Sequence, residues 1–358
     1  MASLKKRNGK IDFLKFLFAV IVLIHHSRYV VGDEKCLFLG GSLAVEFYFL
    51  VSGYLMMASI AKMGERTRSL GAETGVFLWK KYKSFCPEII LAYIVAFAVT
   101  FLTSKTKFFN LLSTSFSDLL LVGMAGLRIK PVNGAVWYLS SMLLSMAILY
   151  PLLRKFGENA RNILIPVLSL VLLGWFCGNG ETPRNPTGWI GWTYRGNLRA
   201  MAELGIGVCL YPLVEKMKKV DFTVFGRIML TLAEYFCYAA FILYMYFQKA
   251  TRMDYFYIFI LSIALVISFS QKGIDTAVFS GRFFSWLGKF SFSVYLTHHF
   301  YSTRLTTVFP KYSDKRLLAI YYGVSILTAL VVMGLSDLIR KHGSKLKLKR
   351  LFVRPTTE

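Results

Sequence analysis

Apolar stretches long enough to cross a bilayer recur from one end of this chain to the other, with short basic connections between them, and this limits the fold more than any other feature. A crossing helix needs roughly 20 mainly apolar residues. The lipid core offers the backbone no partners, so such stretches must satisfy their own hydrogen bonds as helices. Ten spans are expected, near 11–31, 40–61, 87–103, 135–153, 162–178, 197–214, 224–248, 254–270, 286–307 and 317–339. The segment 108–130 contains LLLVGMAGL, too short to cross, flanked by Lys107, Arg128 and Lys130. It reads as one short interfacial or re-entrant helix lying against protein or water. The fold class is therefore all-α, a polytopic integral membrane protein. In 358 residues that are 55% hydrophobic, with mean hydropathy +0.51, the spans leave no room for a sizeable soluble domain. A membrane-embedded domain over 1–345 and a basic cytoplasmic tail over 346–358 describe the organisation.

The formal charge of +24 is assigned to topology and to the anionic inner leaflet rather than to nucleic acid, because the basic residues gather in the connections between spans. With both termini cytoplasmic, inner connections hold a roughly twofold excess of Lys and Arg over outer ones. The connection 62–86 contributes Lys62, Arg66, Arg68, Lys80, Lys81 and Lys83 to that excess. The expected location is the plasma membrane, multi-pass. Lys5, Lys6 and Arg7 before an apolar run mimic a signal peptide, but the run ends in His-His-Ser-Arg without a small-residue cleavage site, so it reads as an uncleaved first span. The five cysteines are scattered singly, and no disulfide framework or metal site follows from their spacing.

The first span, Ile11 to Arg28, carries Asp12 and Lys15 near its start and His25 and His26 near its end. His26 lies roughly 22 Å beyond Ile11, in the far half of a hydrocarbon core about 30 Å thick. Ionisable groups there are costly and mark functional sites by default, although a histidine also serves as hydrogen-bonding glue between spans. Under the same topology Glu46, near the outer end of the second span, and His298, well into the ninth, fall at a similar depth. An imidazole suits proton transfer near neutral pH. A neighbouring carboxylate would orient it and stabilise its charged form. His26, Glu46 and His298 are therefore the catalytic candidates, around a cavity opening toward a positively charged inner vestibule; a buried structural network is the competing account.

Lys15 with Lys80, Lys81 and Lys83 offers positive charge to a phosphate-bearing ligand, and Arg199 is assigned with them. A guanidinium in a span needs a partner or water, and Glu203, four residues on, is its expected partner. Glu234 has no evident local partner. Ser52-Gly53 reads as a close helix packing point. In the outer connection 179–196, Trp189, Trp192 and Tyr194 suit an aromatic belt better than a sugar-stacking platform.

Together these motifs resemble the membrane acyltransferase family 3, whose members O-acylate cell-surface glycans and some small molecules. Ile11, Asp12, Leu14 and Lys15, with His26 at the family's spacing, are similar to its first-span pattern, with Lys in place of Arg. Val45-Glu46-Phe47-Tyr48-Phe49 followed by Ser52-Gly53 is similar to the second-span pattern, with Glu for Asp, and Lys80 to Pro87 resembles its basic cluster ending in proline. Ser291, Phe292, Ser293, Tyr295, Leu296 and His298 match a further motif. Two departures are the absence of an acid after Trp137-Tyr138-Leu139 and Ser84 where an arginine is common. The resemblance implies a ten-span fold, His26 as the essential histidine, and a cytosolic acyl-CoA donor contacted by the Lys15 side and the basic connection. The expected activity is O-acyl transfer, with acetyl the favoured group and acetyl-CoA the donor, to a hydroxyl of an envelope polysaccharide or glycolipid. The rival reading is a proton-coupled transporter or substrate-binding membrane module.

Overall fold

A computed structural model describes residues 7–103, 109, 115–127, 133–182 and 184–352, with the side chains of 102–103 and 343–352 left out. Lys5, Lys6, Lys107, Arg128, Lys130 and the side chains of the basic tail lie outside the described residues. The long helices are α1 (Gly9–His26), α2 (Ala44–Ile60), α3 (Leu70–Thr103), α4 (Trp137–Asn159), α5 (Ile165–Gly178), α6 (Arg195–Lys218), α7 (Val224–Phe247), α8 (Met253–Ser270), α9 (Arg282–Ser302) and α10 (Asp314–Phe352). The two strands among the described residues, Trp189–Ile190 and Thr193–Tyr194, pair antiparallel as a small hairpin before α6.

Among the described residues seven segments are long and apolar enough to cross a membrane, so this is a multi-pass membrane protein, but by that measure the expected count of ten is not reached. The difference has two physical sources. Residues Gly134–Gly178 form one 45-residue segment that contains two expected spans. A straight helix of that length would run about 68 Å, and the chain instead bends at Gly157, where φ is +52° and ψ −118°. The other two expected spans lie in α6 and α9, which are not among the seven and which carry Arg199, Glu203, His298 and His299.

The basic connection 62–86 is a correction: most of it is helix. The α3 helix starts at Leu70, where Ser69 Oγ accepts from Ala72 N at 3.3 Å, and continues through Pro87. A proline inside a helix removes a bond and crowds the preceding turn. That turn is held from outside: Arg340 of α10 donates to Ser84 O at 2.8 Å and pairs with Glu88 at 2.5 and 2.6 Å. Near the start of α3, Glu73 accepts from Tyr150 and Arg154 of α4. Residues 115–127 form a short helix, Phe116–Leu119, and a 3-10 turn, Gly123–Ala125. They pack against protein: Asp118 accepts from Tyr93, Ser140 Oγ accepts from Met124 N, and Met124 O accepts from Asn197.

The core joins α1 to α9 and α2, and α2 to α6, which also touches α4, α5 and α8. Charge pairs fix who meets whom. Lys10 binds Glu234 of α7 at 2.8 Å and Asp275 at 2.7 Å, which supplies the partner that local sequence does not show for Glu234. Asp12 is held by Arg7 and Lys15 and lies against Gly288 of α9, where a Cβ would come within 2.6 Å of its carboxylate. Gly53 and Gly207 let α2 and α6 touch by their backbones. A Cβ at Gly53 would sit 2.1 Å from Leu204 O, and one at Gly207 2.3 Å from Leu50 O.

This packing makes a prediction. Gly53→Ala drives its new methyl into backbone that cannot move aside, and should lower the thermal unfolding midpoint of the detergent-solubilised protein. Gly75→Ala, in the same long helix α3 with open space at that position, should instead stabilise by about 0.5–1 kcal/mol. Equal unfolding midpoints for the two variants would contradict the backbone contact.

Candidate active site

Helix α1 delivers His25 and His26 at its last turn, just before Ser27 and the short helix Arg28–Val31. The two rings face differently because successive helical residues point about 100° apart. His25 is buried: its Nδ1–H donates to Phe38 O at 2.8 Å, and its Cβ packs where a Cβ at Gly41 would come within 2.6 Å. Both histidines border a cavity of about 1250 Å³, and His26 also meets a second imidazole. His26 Nδ1 is 2.8 Å from Val22 O and 3.3 Å from His298 Nε2, while His298 Nδ1 is 3.1 Å from Val294 O. A carbonyl only accepts, so both Nδ1 atoms carry protons. His298 Nε2 is then the acceptor facing the shared proton of His26. The remaining atom, His26 Nε2, is left unprotonated and without a protein hydrogen-bond partner among the described residues. His26 thus presents a free imidazole lone pair, with its tautomer set by two acceptors behind it.

His298 is fully buried and does not line the cavity; it acts on His26 from behind. Its neighbour His299, which sequence reasoning passed over, lines the cavity, with its ring 5.1 Å from that of His26 and 6.0 Å from that of Tyr29. The available signal was periodicity: Tyr295 and His299 are four residues apart on one helical face, and both line the cavity. Tyr295 is fixed by donating to Ala135 O at 2.7 Å. Gly134 makes room for His299, since a Cβ there would lie 2.4 Å from its Cε1.

Glu46 is a correction. It is fully buried and its recorded partner is Arg199, not His26. Arg199 Nε lies 3.2 Å from Glu46 Oε2 and 3.2 Å from Glu203 Oε1, and its Nη2 bonds Glu46 Oε1. The guanidinium cannot lose its charge, and so it captures both acids while lying 5.3 Å over the Trp137 ring. The structure also separates Arg199 from the lysines it was grouped with. Arg199 lines the cavity at the His26 end of α1, whereas Lys15 is eleven residues earlier, about 16 Å along the helix.

None of Lys15, Lys80, Lys81 and Lys83 lines the cavity. Lys15 is tied to Asp12 at 3.2 Å, Lys83 lies 4.8 Å over Trp79, Lys80 is exposed and Lys81 is half-buried. The cavity opens instead at the opposite end, among Arg28, Asp33, Arg184, Thr187, Lys249 and Arg304, so the expected opening toward the lysines is not what the structure has. At the 189–194 hairpin, Trp189 meets Tyr194 edge-on at 4.8 Å and Trp192 is 78% exposed; none of the three lines the cavity. In the stretch after Trp137-Tyr138-Leu139, which holds no acid, Ser141 donates to Asn197 Oδ1 at 2.9 Å.

The fold and site define a multi-pass helical membrane protein with a histidine-centred cavity. A family model described as an acyltransferase domain matches residues 8–337, nearly the whole chain. The chain belongs to that family, the membrane acyltransferase family 3, and is a membrane acyltransferase. Comparison with curated proteins and with solved structures gives no match.

The ion cluster gives a second prediction. Arg199→Met leaves Glu46 and Glu203 buried without their cation, and should destabilise by about 3–5 kcal/mol. Adding Glu46→Gln and Glu203→Gln should recover a large part of that loss in the same thermal unfolding measurement. No recovery in the triple variant would show that Arg199 acts through something other than charge pairing.

Proposed function

We propose that this protein moves an acyl group, with acetyl favoured, from acyl-CoA to a hydroxyl of a cell-envelope polysaccharide or glycolipid. The observation that carries the reading is the free Nε2 of His26 at the wall of a cavity large enough for a sugar, with Nδ1 held from behind. In this reading His26 Nε2 takes the proton of the acceptor hydroxyl as its oxygen attacks the thioester carbonyl. The C–S bond then breaks, and coenzyme A leaves as a thiolate that is protonated by the imidazolium. His298 Nε2 and Val22 O, both acceptors, stabilise the imidazolium while it exists. Positioned acid–base catalysis of this kind contributes about 10²–10⁴-fold.

Lys15, Lys80, Lys81 and Lys83 serve the phosphates of the donor at the other end of α1, with the thioester reaching toward His26 through the bundle. What supports this is their charge, the exposure of Lys80 and the absence, among the described residues, of a carboxylate paired with Lys80, Lys81 or Lys83. The donor end then faces the cytosol and the cavity faces outward, which agrees with the charge bias of the connections.

The test is release of free coenzyme A from acetyl-CoA by purified protein supplied with envelope extract. His26→Ala should lose at least about 10²-fold in rate, with the folded yield unchanged. A stable, active His26→Ala enzyme would rule the mechanism out. Lys80→Gln with Lys83→Gln should raise KM for acetyl-CoA several-fold and leave kcat unchanged; an unaltered KM would remove these lysines from the donor site.

A further inference from the structure

Five cations line the cavity: Arg28, Arg184, Arg199, Lys249 and Arg304. Three of them are already committed. Arg28 pairs with Asp33 at 2.9 Å, Arg184 with Asp254 at 2.5 Å, and Arg199 with Glu46 and Glu203. Lys249 and Arg304 have no carboxylate partner among the described residues, and Glu358 is the sole acid that the rest of the chain adds. Lys249 is exposed at the turn between α7 and α8.

Arg304 is the more demanding case. It is half-buried, lies 4.0 Å over the Phe300 ring, and its guanidinium gives a single hydrogen bond among the described residues, from Nη1 to Phe300 O at 3.3 Å. That bond caps the end of α9, a helix C-terminus that favours a cation. It uses one of five donors in a planar fork built for carboxylate or phosphate. The fork lines the same cavity as His299, Thr303 and Thr307, and the His299 ring is 5.1 Å from that of His26.

We propose that the acceptor is an anionic sugar or glycolipid, whose carboxylate or phosphate is held by Arg304 and Lys249 while its hydroxyl faces His26. This rests on the acyl-transfer reading for the word acceptor, but the binding site stands on the cavity alone. It gives the cavity a specificity element: a neutral sugar of the same shape leaves the fork desolvated and unpaired, which costs affinity. Carboxylate and phosphate are the two sources of that charge, and the test separates them.

The experiment measures binding to the full-length detergent-solubilised protein by titration calorimetry, with methyl glucoside, methyl glucuronide and glucose 1-phosphate as probes. One of the two charged sugars, or both, should bind about tenfold or more tightly than the neutral one, and which one does so identifies the anion. Arg304→Gln and Lys249→Gln should each erase most of that preference, and Arg304→Lys should keep part of it. His26→Ala should retain the preference, so loss of transfer in that variant and loss of anion recognition are read independently. Equal affinity for the three probes, or a preference untouched by Arg304→Gln and Lys249→Gln, overturns the proposal. Displacement of the charged sugar by coenzyme A at equal concentration also overturns it, because the anion site would then belong to the donor.

Discussion

Every ionisable group placed inside an apolar bundle must find a partner, and in this protein that requirement decides which helices touch. Lys10 ties α1 to α7 through Glu234, Arg199 ties α6 to α2 through Glu46, and Glu88 ties α3 to α10 through Arg340. Each link joins residues far apart in sequence. Breaking one leaves a buried charge uncompensated, which costs more than the intact pair contributes. The pairs therefore act mainly as specificity devices: a wrong helix register strands a charge in an apolar environment. Bare glycine contacts such as Gly53 with Leu204 then let the backbones close to the distance that the pairs require.

The histidines at the end of α1 escape this logic, and that escape makes them chemically available. Glu46 is consumed by Arg199, so among the described residues no carboxylate bonds His26. Its ring is oriented by a carbonyl and by a second imidazole, both neutral acceptors. A carboxylate partner would favour the protonated ring in the resting state, whereas neutral acceptors fix the tautomer while leaving the lone pair free. The pairing of Glu46 with Arg199 therefore changes what orients the His26 ring without occupying its lone pair. The two ends of α1 also differ in chemistry, with lysines and their aromatic neighbours at one end and the cavity with its histidines and arginines at the other.

The legible part of this architecture was the part that local pattern controls. Span positions followed from apolar runs, and most fall within a few residues of the helices seen. Where they differ the reason is specific: residues 70–86 are helix because Arg340 and Arg154, distant in sequence, hold both ends of that stretch. His26 and His298 were expected at a similar depth, and their rings do meet. Depth along a helix follows from residue count, but direction around the axis does not, so Glu46 at the right height points to Arg199 instead. The same limit hid His299, whose neighbour matched the motif while its own ring took the cavity wall.

By itself the sequence determined that this chain is a bundle of membrane helices with imidazoles in the far half of the first span and an excess of cations, because hydropathy, helical rise and charge are properties of adjacent residues. It also held the motifs of the acyltransferase family. Only the tertiary structure decided which acid each arginine took, which nitrogen of His26 was left free, and which end of the bundle the cavity opens from. Those outcomes depend on the rotation of helices about their axes and on contacts between residues up to 298 positions apart, such as Tyr321 with Leu23 O. No local pattern encodes them, because the partner that wins a buried charge or a buried proton is the one the packing brings within 3 Å or so.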